Sequence, residues 1–416
     1  MQPYIIDNSQ DTSVEDFQVR DNLVRTLKNR FTTYGYKQIQ TSTFESYDLY
    51  SSISGTVNKD EMIKVVDTSG KVMVLRPDVT IPISRMTALN KQSRSTNNTR
   101  VFYVMDVFRQ AFEQEDQKEK TQAGIEYFGE NTPQSNAEVL MLAIHTLKDL
   151  GFSNFKIEIG HAGLFKELVK QALIQPEELD VLLSLIQSKN TAEIEPFLKN
   201  LAIDTDLQEA IQAIPLMYGD PLNVIQQAKK IIRNEEMQAI LQNLIDVYDV
   251  LKDFQAEDSV VFNLGLINNM NYYSGIIFQG FVDNIGKPIL MGGRYDNLSD
   301  QYNEQIPAIG FAFEIELLLH ALSQQGLAQR KQPSVDMVIY YELTRQKDAL
   351  YAAYRLREAG YQIVTFPTST IHPEDTRSLF TVRYEAKQQV VYQNQEVPFV
   401  DVEELIDLLQ EERLLS

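Results

Sequence analysis

The sequence predicts an α+β protein in which helices flank an antiparallel sheet, with a helical insertion and a small α/β C-terminal domain. Three observations support this fold class. Residues 99 to 129 hold two runs of β-branched and aromatic residues around a polar loop, a pattern typical of an antiparallel hairpin. Residues 162 to 256 consist of successive amphipathic helical patterns. Residues from 335 onward follow a strand, helix, strand order.

The first part of the predicted core covers residues 1–161. Apolar residues at spacings of three and four predict a helix over 14–34, and its apolar face holds Phe17, Leu23, Val24, Leu27 and Phe31. YKQIQTSTF and KVMVL predict strands before the hairpin. SNAEVLMLAIHTLKDLG predicts a helix with a Ser or Asn cap that ends at Gly151, and FKIEIG predicts the next strand.

The second part of the core follows the helical insertion at 162–256. We expect it to cover residues 257–322, because VVFNLGL, YYSGIIFQGFV and PILMGGRYDNL have strand character. GFAFEIELLLHAL then predicts a strand that runs into a helix. SQQGLAQRKQPS is polar with Gly and Pro, as in a linker, and the C-terminal domain is predicted at 335–416.

Composition excludes several classes of function. The 416 residues contain 38 Lys and Arg against 58 Asp and Glu, a formal charge of -20, with no local basic run, which disfavours autonomous nucleic-acid binding. Cysteine is absent, so disulfides and thiolate chemistry are excluded. The four histidines lie far apart in sequence, and we expect no metal and no other cofactor. The polar start MQPYIIDNSQDTSVEDF and the lack of a long apolar stretch predict a cytoplasmic protein without membrane attachment.

Polar side chains predicted on strands of one sheet form the candidate site. They are Arg76, Asp78, Arg109, Gln122, Glu126, Tyr272, Tyr273 and Arg294. Carboxylates suit an ammonium group, an arginine suits a carboxylate, and aromatic walls exclude water, so the set suits a small zwitterion. We expect no catalytic residue, since the phosphate-loop, GxSxG and HExxH motifs are missing. His161 is interpreted as a strand-end packing or turn residue.

The order of segments resembles a class II aminoacyl-tRNA synthetase core, and specifically histidyl-tRNA synthetase, over about residues 14–322. GYKQIQTSTFESYDLY resembles motif 1, and LRPDVTIPISR resembles the block that binds the amino acid's ammonium. VFYVMDVFRQ and TQAGIEYFG resemble the strands of motif 2, and NYYSGIIF resembles the histidine-specific RGxDYYTxxxF block. GGRYDNL and GFAFEIELL resemble the glycine-rich loop and motif 3, and residues 335–416 resemble a degenerate anticodon-binding domain.

The departures from this pattern concern ATP and catalysis. Asn268 and Asn271 stand where the family has the catalytic arginine and an aspartate, and Leu317 replaces the motif 3 arginine. Ala111 replaces an acid of motif 2, and Ser42 replaces the motif 1 proline. An asparagine supplies no permanent charge to a developing phosphate, so we expect adenylation to be lost.

The amino-acid pocket of the resembled family is retained. The resemblance implies that histidine binds Asp78, Thr80, Arg109, Gln122, Glu126, Tyr272 and Tyr273. This combination is similar to the regulatory subunits of short-form ATP phosphoribosyltransferase, as is KIEIGHAGLFKEL. Membership there would imply a non-catalytic partner of the catalytic subunit in the first step of histidine biosynthesis. We would then expect activation of that subunit, feedback inhibition by L-histidine, and a homodimer formed through motif 1 within a hetero-oligomer.

Three alternatives stay open on the sequence. The chain could be an active histidyl-tRNA synthetase, in which another arginine replaces those lost at Asn268 and Leu317. It could be a synthetase-like enzyme that activates a different amino acid or modifies a protein, which requires ATP binding. It could also be a scaffold without a ligand. Histidine-dependent ATP–pyrophosphate exchange and a histidine-binding measurement discriminate these functions.

Overall fold

The chain forms two compact units, Met1–Ala328 and Gln329–Ser416, in a computed structural model. The structure describes residues 12–51, 57–91, 98–110, 117–201, 203–267, 272–328, 335–369, 378–393 and 395–413.

The first unit is built on one large sheet and one small sheet. Its strands within the described residues are β1 (Lys37–Gln38), β2 (Phe44–Ser46), β3 (Lys64–Val66), β4 (Val72–Leu75), β5 (Thr99–Phe108), β6 (Glu119–Phe128), β7 (Phe155–His161), β8 (Tyr218–Gly219), β9 (Val260–Asn263), β10 (Ile276–Val282), β11 (Leu290–Arg294) and β12 (Ala308–Glu314). The large sheet has the order β1-β5-β6-β12-β11-β10-β7-β9-β8, and the small sheet has the order β2-β4-β3. The large sheet is antiparallel except where β1 pairs with β5 and β7 pairs with β9.

Helices flank this sheet and fill the predicted insertion. Within the described residues they are α1 (Val14–Thr33), α2 (Tyr47–Ser51), α3 (Thr80–Lys91), α4 (Pro133–Asp149), α5 (Ala162–Ala172), α6 (Pro176–Gln187), α7 (Thr191–Lys199), α8 (Thr205–Ala213), α9 (Pro221–Ile231), α10 (Glu235–Asp253) and α11 (Ile315–Gln324). The predicted α+β class, with its hairpin of β5 and β6 and its helical run from α5 to α10, is confirmed.

The two faces of β6 separate the main core from the site. Successive residues of a strand point to opposite faces. Ala123, Ile125 and Tyr127 pack in the large apolar cluster that also holds buried residues of α1 and α4. Gln122, Gly124 and Glu126 therefore point to the other face, where a second cluster contains Tyr103 and Tyr295. The candidate site lies on this second face.

Two local predictions differ from the structure. The YKQIQTSTF strand is divided between β1 and β2, which pair in different sheets. Phe17 is 58% exposed, although it shares the periodicity of the buried Leu23, Leu27 and Phe31, because the first five residues of α1, 14–18, extend beyond the core.

The cap predicted for α4 is also different. Thr132 is the N-cap and accepts a hydrogen bond from the Ser135 backbone N–H, and the Ser135 hydroxyl accepts one from the Thr132 N–H. This reciprocal pair is a capping box, which satisfies two backbone donors at the start of the helix. The end of α4 agrees with the prediction, because Gly151 follows it at φ +87°.

The second unit has its own sheet and core. Its described strands are β13 (Val335–Tyr341), β14 (Ile363–Pro367), β15 (Ser378–Tyr384), β16 (Gln388–Tyr392) and β17 (Gln395–Pro398). Its described helices are α12 (Gln346–Glu358) and α13 (Val402–Arg413). The sheet order is β14-β13-β15-β16-β17, with β14 and β15 parallel to β13, so the unit begins with the expected strand–helix–strand order.

Candidate functional site

All seven residues predicted to bind a ligand line one cavity. The cavity has a volume of about 220 Å³ and includes Asp78, Thr80, Arg109, Gln122, Glu126, Tyr272 and Tyr273 in its wall. Pockets for drug-sized ligands occupy roughly 300–1,000 Å³. The cavity is therefore of a size suited to a smaller metabolite.

Strand register and two glycines create the floor of this cavity. Gly124 of β6 pairs with Tyr103 of β5, and Glu126 of β6 pairs with Gly310 of β12. A Cβ at Gly124 would lie 2.6 Å from the Tyr103 hydroxyl oxygen, and one at Gly310 would lie 1.8 Å from Glu126 Oε2. Only glycine leaves room at these positions, so the two buried polar side chains lie flat over neighbouring strands.

Glu126 is a buried acid with two hydroxyl donors. Thr80 Oγ1 donates to its Oε1 at 2.7 Å, and the Tyr295 hydroxyl donates to its Oε2. The side chain is 1% exposed. Burial raises the pKa of Glu126 to about 8, with a smaller contribution from the nearby Asp78 carboxylate, although both hydrogen bonds oppose the shift. The site therefore holds a carboxyl group whose charged form burial disfavours, with no cation among the causes that shift its pKa in the described part of the chain.

Asp78 and Thr80 are placed by the start of α3. Asp78 Oδ1 accepts a hydrogen bond from the Ile81 N–H at 2.8 Å, as a residue before a helix commonly does. Burial raises the pKa of Asp78, while the backbone donors and Arg109 oppose that shift. A cationic group in the cavity would thus meet two acids, one of them held by a helix N-terminus.

Arg109 and Gln122 form one side of the cavity together with Glu314. Arg109 Nε donates to the Pro77 carbonyl at 2.9 Å, which fixes the guanidinium beside the segment that carries Asp78. Arg109, Gln122 and Glu314 also line a neighbouring cavity of about 220 Å³ that contains Lys118 and Lys120. Lys120 Nζ lies 3.5 Å from Glu314 Oε1. Among the described residues that line the first cavity, Arg109 supplies the cation, and its guanidinium suits a carboxylate ligand.

Four tyrosines and Phe311 form the aromatic part of the cavity wall. The rings of Tyr272 and Tyr273 are 4.9 Å apart at 70°, and Tyr272 stacks on Tyr295 at 5.4 Å and 11°. Sequence reasoning missed Tyr103 and Tyr295 as cavity residues. Alternation along β5 does not identify Tyr103 by itself. Its place in the cavity follows only when its pairing with Gly124 of β6 is known. Tyr295 follows directly after Arg294 in the GGRYDNL segment.

Arg76 and Arg294 support the fold and do not line the cavity. Arg76 donates to the carbonyls of Thr41, Ser42 and Asp106 at 2.7 to 3.1 Å. Arg294 is 2% exposed, and its Nη2 donates to Asn136 Oδ1 at 2.6 Å. The expectation that all candidate residues lie on strands of one sheet is also wrong.

Loops supply several of these candidates because cavity side chains are held where strands end. Asp78 lies between β4 and α3, Thr80 begins α3, and Arg109 follows β5. Tyr272 and Tyr273 precede β10. Only Gln122 and Glu126 of the seven lie within a strand, β6.

His161 has the turn role that the sequence favoured. It ends β7, and its Nδ1 accepts a hydrogen bond from the Gly163 N–H at 3.0 Å at the start of α5. Burial lowers the pKa of His161 to about 4, with a smaller contribution from Lys166, so the ring is neutral at physiological pH.

The positions that depart from the synthetase pattern are described in part. Leu317 packs against the main apolar core, and the Ser42 hydroxyl donates to the Phe44 carbonyl at 2.7 Å. Ala111, Asn268 and Asn271 lie outside the described residues.

The described part of the chain has neither a candidate metal site nor a candidate membrane-spanning helix. No group of three or more His, Cys, Asp or Glu side chains there could hold a metal ion. No described helix combines the length and apolar character needed to cross a membrane.

Comparisons with known proteins give the chain a family. A family model described as histidyl-tRNA synthetase matches residues 8–318. The ATP phosphoribosyltransferase regulatory subunit of Oceanobacillus iheyensis is 50% identical over 356 residues, which cover 86% of each chain. The protein of that name from Ruminiclostridium cellulolyticum is 34% identical over 366 residues, which cover 87% of this chain and 86% of the relative.

Solved structures agree with this relationship. An ATP phosphoribosyltransferase regulatory subunit/histidyl-tRNA synthetase from Bacillus halodurans aligns with a TM-score of 0.80 at 27% identity, covering 90% of this chain and 95% of that one. Histidyl-tRNA synthetase from Nostoc sp. PCC 7120 aligns with a TM-score of 0.82 and covers 100% of both chains, and its 16% identity shows the shared fold alone. The chain belongs to the family of ATP phosphoribosyltransferase regulatory subunits, which have the class II fold of histidyl-tRNA synthetase.

Proposed function

We propose that this regulatory, non-catalytic chain binds free L-histidine in the described cavity and transmits feedback inhibition to a short-form ATP phosphoribosyltransferase catalytic subunit. The observation that carries the proposal is the convergence of all seven expected side chains on one cavity. The proposed partner is the catalytic subunit that the relatives' name, ATP phosphoribosyltransferase regulatory subunit, implies.

The chemistry of the cavity supports an α-amino acid as the ligand. An ammonium beside Glu126 and Asp78 would bring a positive charge to two acids whose pKa burial raises, and would favour the ionised form of Glu126. Arg109 suits the carboxylate, because guanidinium–carboxylate bonds are charge-assisted. Tyrosine rings suit a planar heteroaromatic side chain and exclude water from it.

Feedback requires unequal binding of histidine to two states of the complex. A ligand with the same affinity for the active and inactive states shifts neither population. We therefore expect the histidine-bound form of this chain to hold the catalytic subunit in a less active state.

We also propose that two copies of the chain associate through the segment that resembles motif 1. The small sheet, whose strand β2 belongs to that segment, has exposed apolar side chains on both faces: Phe44 and Val65 on one face, and the paired Val66 and Val72 on the other. Exposed apolar neighbours such as Val66 and Val72 favour a contact with another protein surface. A second copy is the expected occupant.

Calorimetric titration with three ligands tests the pocket directly. We expect L-histidine to bind, and we expect histidinol, which lacks the carboxylate, and 3-(imidazol-4-yl)propionate, which lacks the ammonium, to bind at least about tenfold more weakly. Equal affinity for all three ligands, or no heat with any of them, would reject the proposed pocket. Histidine-dependent ATP–pyrophosphate exchange by the isolated chain would instead support a synthetase.

A further inference from the structure

The loop that carries Tyr272 and Tyr273 is held from two sides. On one side, the Ser274 N–H donates to the Arg294 carbonyl of β11 at 2.8 Å. The Tyr273 ring lies over Gly293, where a Cβ would come within 2.7 Å of it. The large sheet therefore supports this loop through β11.

On the other side, the loop contacts α5, the first helix of the segment 162–256. The Ala162 N–H donates to the Gly275 carbonyl at 2.9 Å, and Lys166 Nζ donates to the Tyr273 carbonyl at 2.6 Å. Ala162 and Lys166 are four residues apart and so lie on one face of the helix. The two accepting carbonyls, of Tyr273 and Gly275, are two residues apart, so the same helix is bonded to the loop at two points.

Lys166 is an unusual choice for this position. Its side chain is partly buried, and burial lowers the pKa of the ammonium. No ion pair joins it to an acid within the described part of the chain. Burying part of a charged group for a single carbonyl contact has a free-energy cost that a purely apolar side chain would avoid. The contact that offsets this cost is the one to the ligand loop.

We propose that Lys166 is a positioning residue that holds the Tyr272 and Tyr273 loop against the cavity and links ligand binding there to the helical segment 162–256. The link is physical and short. Lys166 contacts the carbonyl of a cavity tyrosine, and α5 packs against α10 and α8 within the helical segment. A ligand that contacts the tyrosine wall thus acts on a loop attached to α5. This inference rests on the proposed histidine site, and it adds a structural connection from that site to the helices of segment 162–256.

The test compares Lys166→Met with Lys170→Met on the same helix. Lys170 is 77% exposed and pairs with Glu167 at 3.2 Å, so its replacement leaves the ligand loop untouched. We expect Lys166→Met to weaken L-histidine binding by about tenfold in calorimetry, the loss of one charge-assisted hydrogen bond, and Lys170→Met to bind as the parent does. We also expect Lys166→Met alone to alter the near-ultraviolet circular dichroism of the ligand-free chain, since the chain has no Trp and tyrosines dominate that signal.

Lys166→Arg retains a cationic donor, and it distinguishes a positioning role of Lys166 from a merely structural one. Positioning predicts that Lys166→Arg recovers most of the affinity and the tyrosine spectrum, and it remains the test if Lys166→Met does not fold. Parental affinity in Lys166→Met, or the same loss in Lys166→Arg as in a folded Lys166→Met, would overturn the inference and leave the histidine site standing. Failure of the parent itself to bind histidine would reject the proposed site, and the inference with it.

Discussion

Glu126 is the residue whose chemistry most depends on the fold. Its carboxyl group is buried over Gly310, between the hydroxyls of Thr80 and Tyr295, and burial raises its pKa to about 8. A cationic ligand beside this carboxyl group would stabilise its ionised form, which burial disfavours. The residue is therefore explained more readily by ligand binding than by stability.

Replacement of Glu126 by Gln tests this state through the pH dependence of stability. The pKa of Glu126 is about 8 when folded and 4.5 ordinarily, so between these values the folded chain retains a proton that the unfolded chain has lost. The contribution of Glu126 to folding is thus fully present below about pH 4.5 and is lost as pH rises to about 8. We expect the free energy of unfolding of the parent, relative to Glu126→Gln, to fall by up to about 1.4 kcal/mol per pH unit. Urea unfolding at several pH values measures it, and a difference that does not change with pH would contradict the assigned state.

Asp78 can be tested without removing its helix contact. Asp78→Asn keeps an oxygen that can accept from the Ile81 N–H but removes the charge. We expect the dissociation constant for L-histidine to rise about ten- to a hundredfold, the effect of one hydrogen bond to a charged group, with assembly unchanged. Asp180→Asn, on the exposed face of α6, is the matched control and is expected to bind as the parent. Parental affinity in Asp78→Asn would remove Asp78 from the site.

At the scale of elements, the floor of the cavity depends on the pairing of β6 with β12. Gly310 lies opposite Glu126, and a side chain there would occupy the space of its carboxyl group. The elements were predictable from periodicity and turn residues. The register that brings Tyr103 and Gly124 together was not, because cross-strand neighbours depend on pairing that one strand's sequence does not specify.

Gly310→Ala tests the floor of the cavity, and Gly286→Ala is its control. A Cβ at Gly286 meets no atom within 4 Å, whereas a Cβ at Gly310 would lie 1.8 Å from Glu126 Oε2. We expect Gly310→Ala to destabilise the chain by about 1–3 kcal/mol through overpacking and to lose histidine affinity, while Gly286→Ala does neither. Thermal unfolding with and without histidine measures both effects. Equal behaviour of the two variants would mean that Glu126 has room to move.

Sequence patterns predicted which helices and strands form better than they predicted where an element meets its neighbours. Phe17 follows the periodicity of α1, yet it is exposed because the helix starts beyond the core. Arg76 and Arg294 have the residue type of an anion site, yet backbone carbonyls and Asn136 occupy their donors. The seven expected ligand residues were identified through resemblance to a family, and residue type alone gave no means to separate them from these two arginines.

At the scale of the whole molecule, the acidic charge of -20 is compatible with docking to another protein. The face of the small sheet that carries the exposed pair Val66 and Val72 offers one such surface. Val66, 66% exposed, is the more exposed of the two.

Val66→Asp tests the proposed homodimer. A charge placed in an apolar contact is left without a partner, so we expect the variant to sediment as a monomer at concentrations where the parent is a dimer. Val14→Asp, at a site that is 70% exposed on α1, controls for the added charge and is expected to remain dimeric. A dimer in Val66→Asp would place the contact elsewhere.

The most direct test of the account is the activity of a short-form ATP phosphoribosyltransferase catalytic subunit, with and without this chain, across a histidine titration. We predict activity that requires the mixture and falls as histidine rises, and an inhibition curve displaced to higher histidine when the chain carries Asp78→Asn. An unchanged activity and sedimentation of the catalytic subunit would contradict the partnership. Inhibition of the Asp78→Asn mixture at the parental histidine concentration would contradict the pocket.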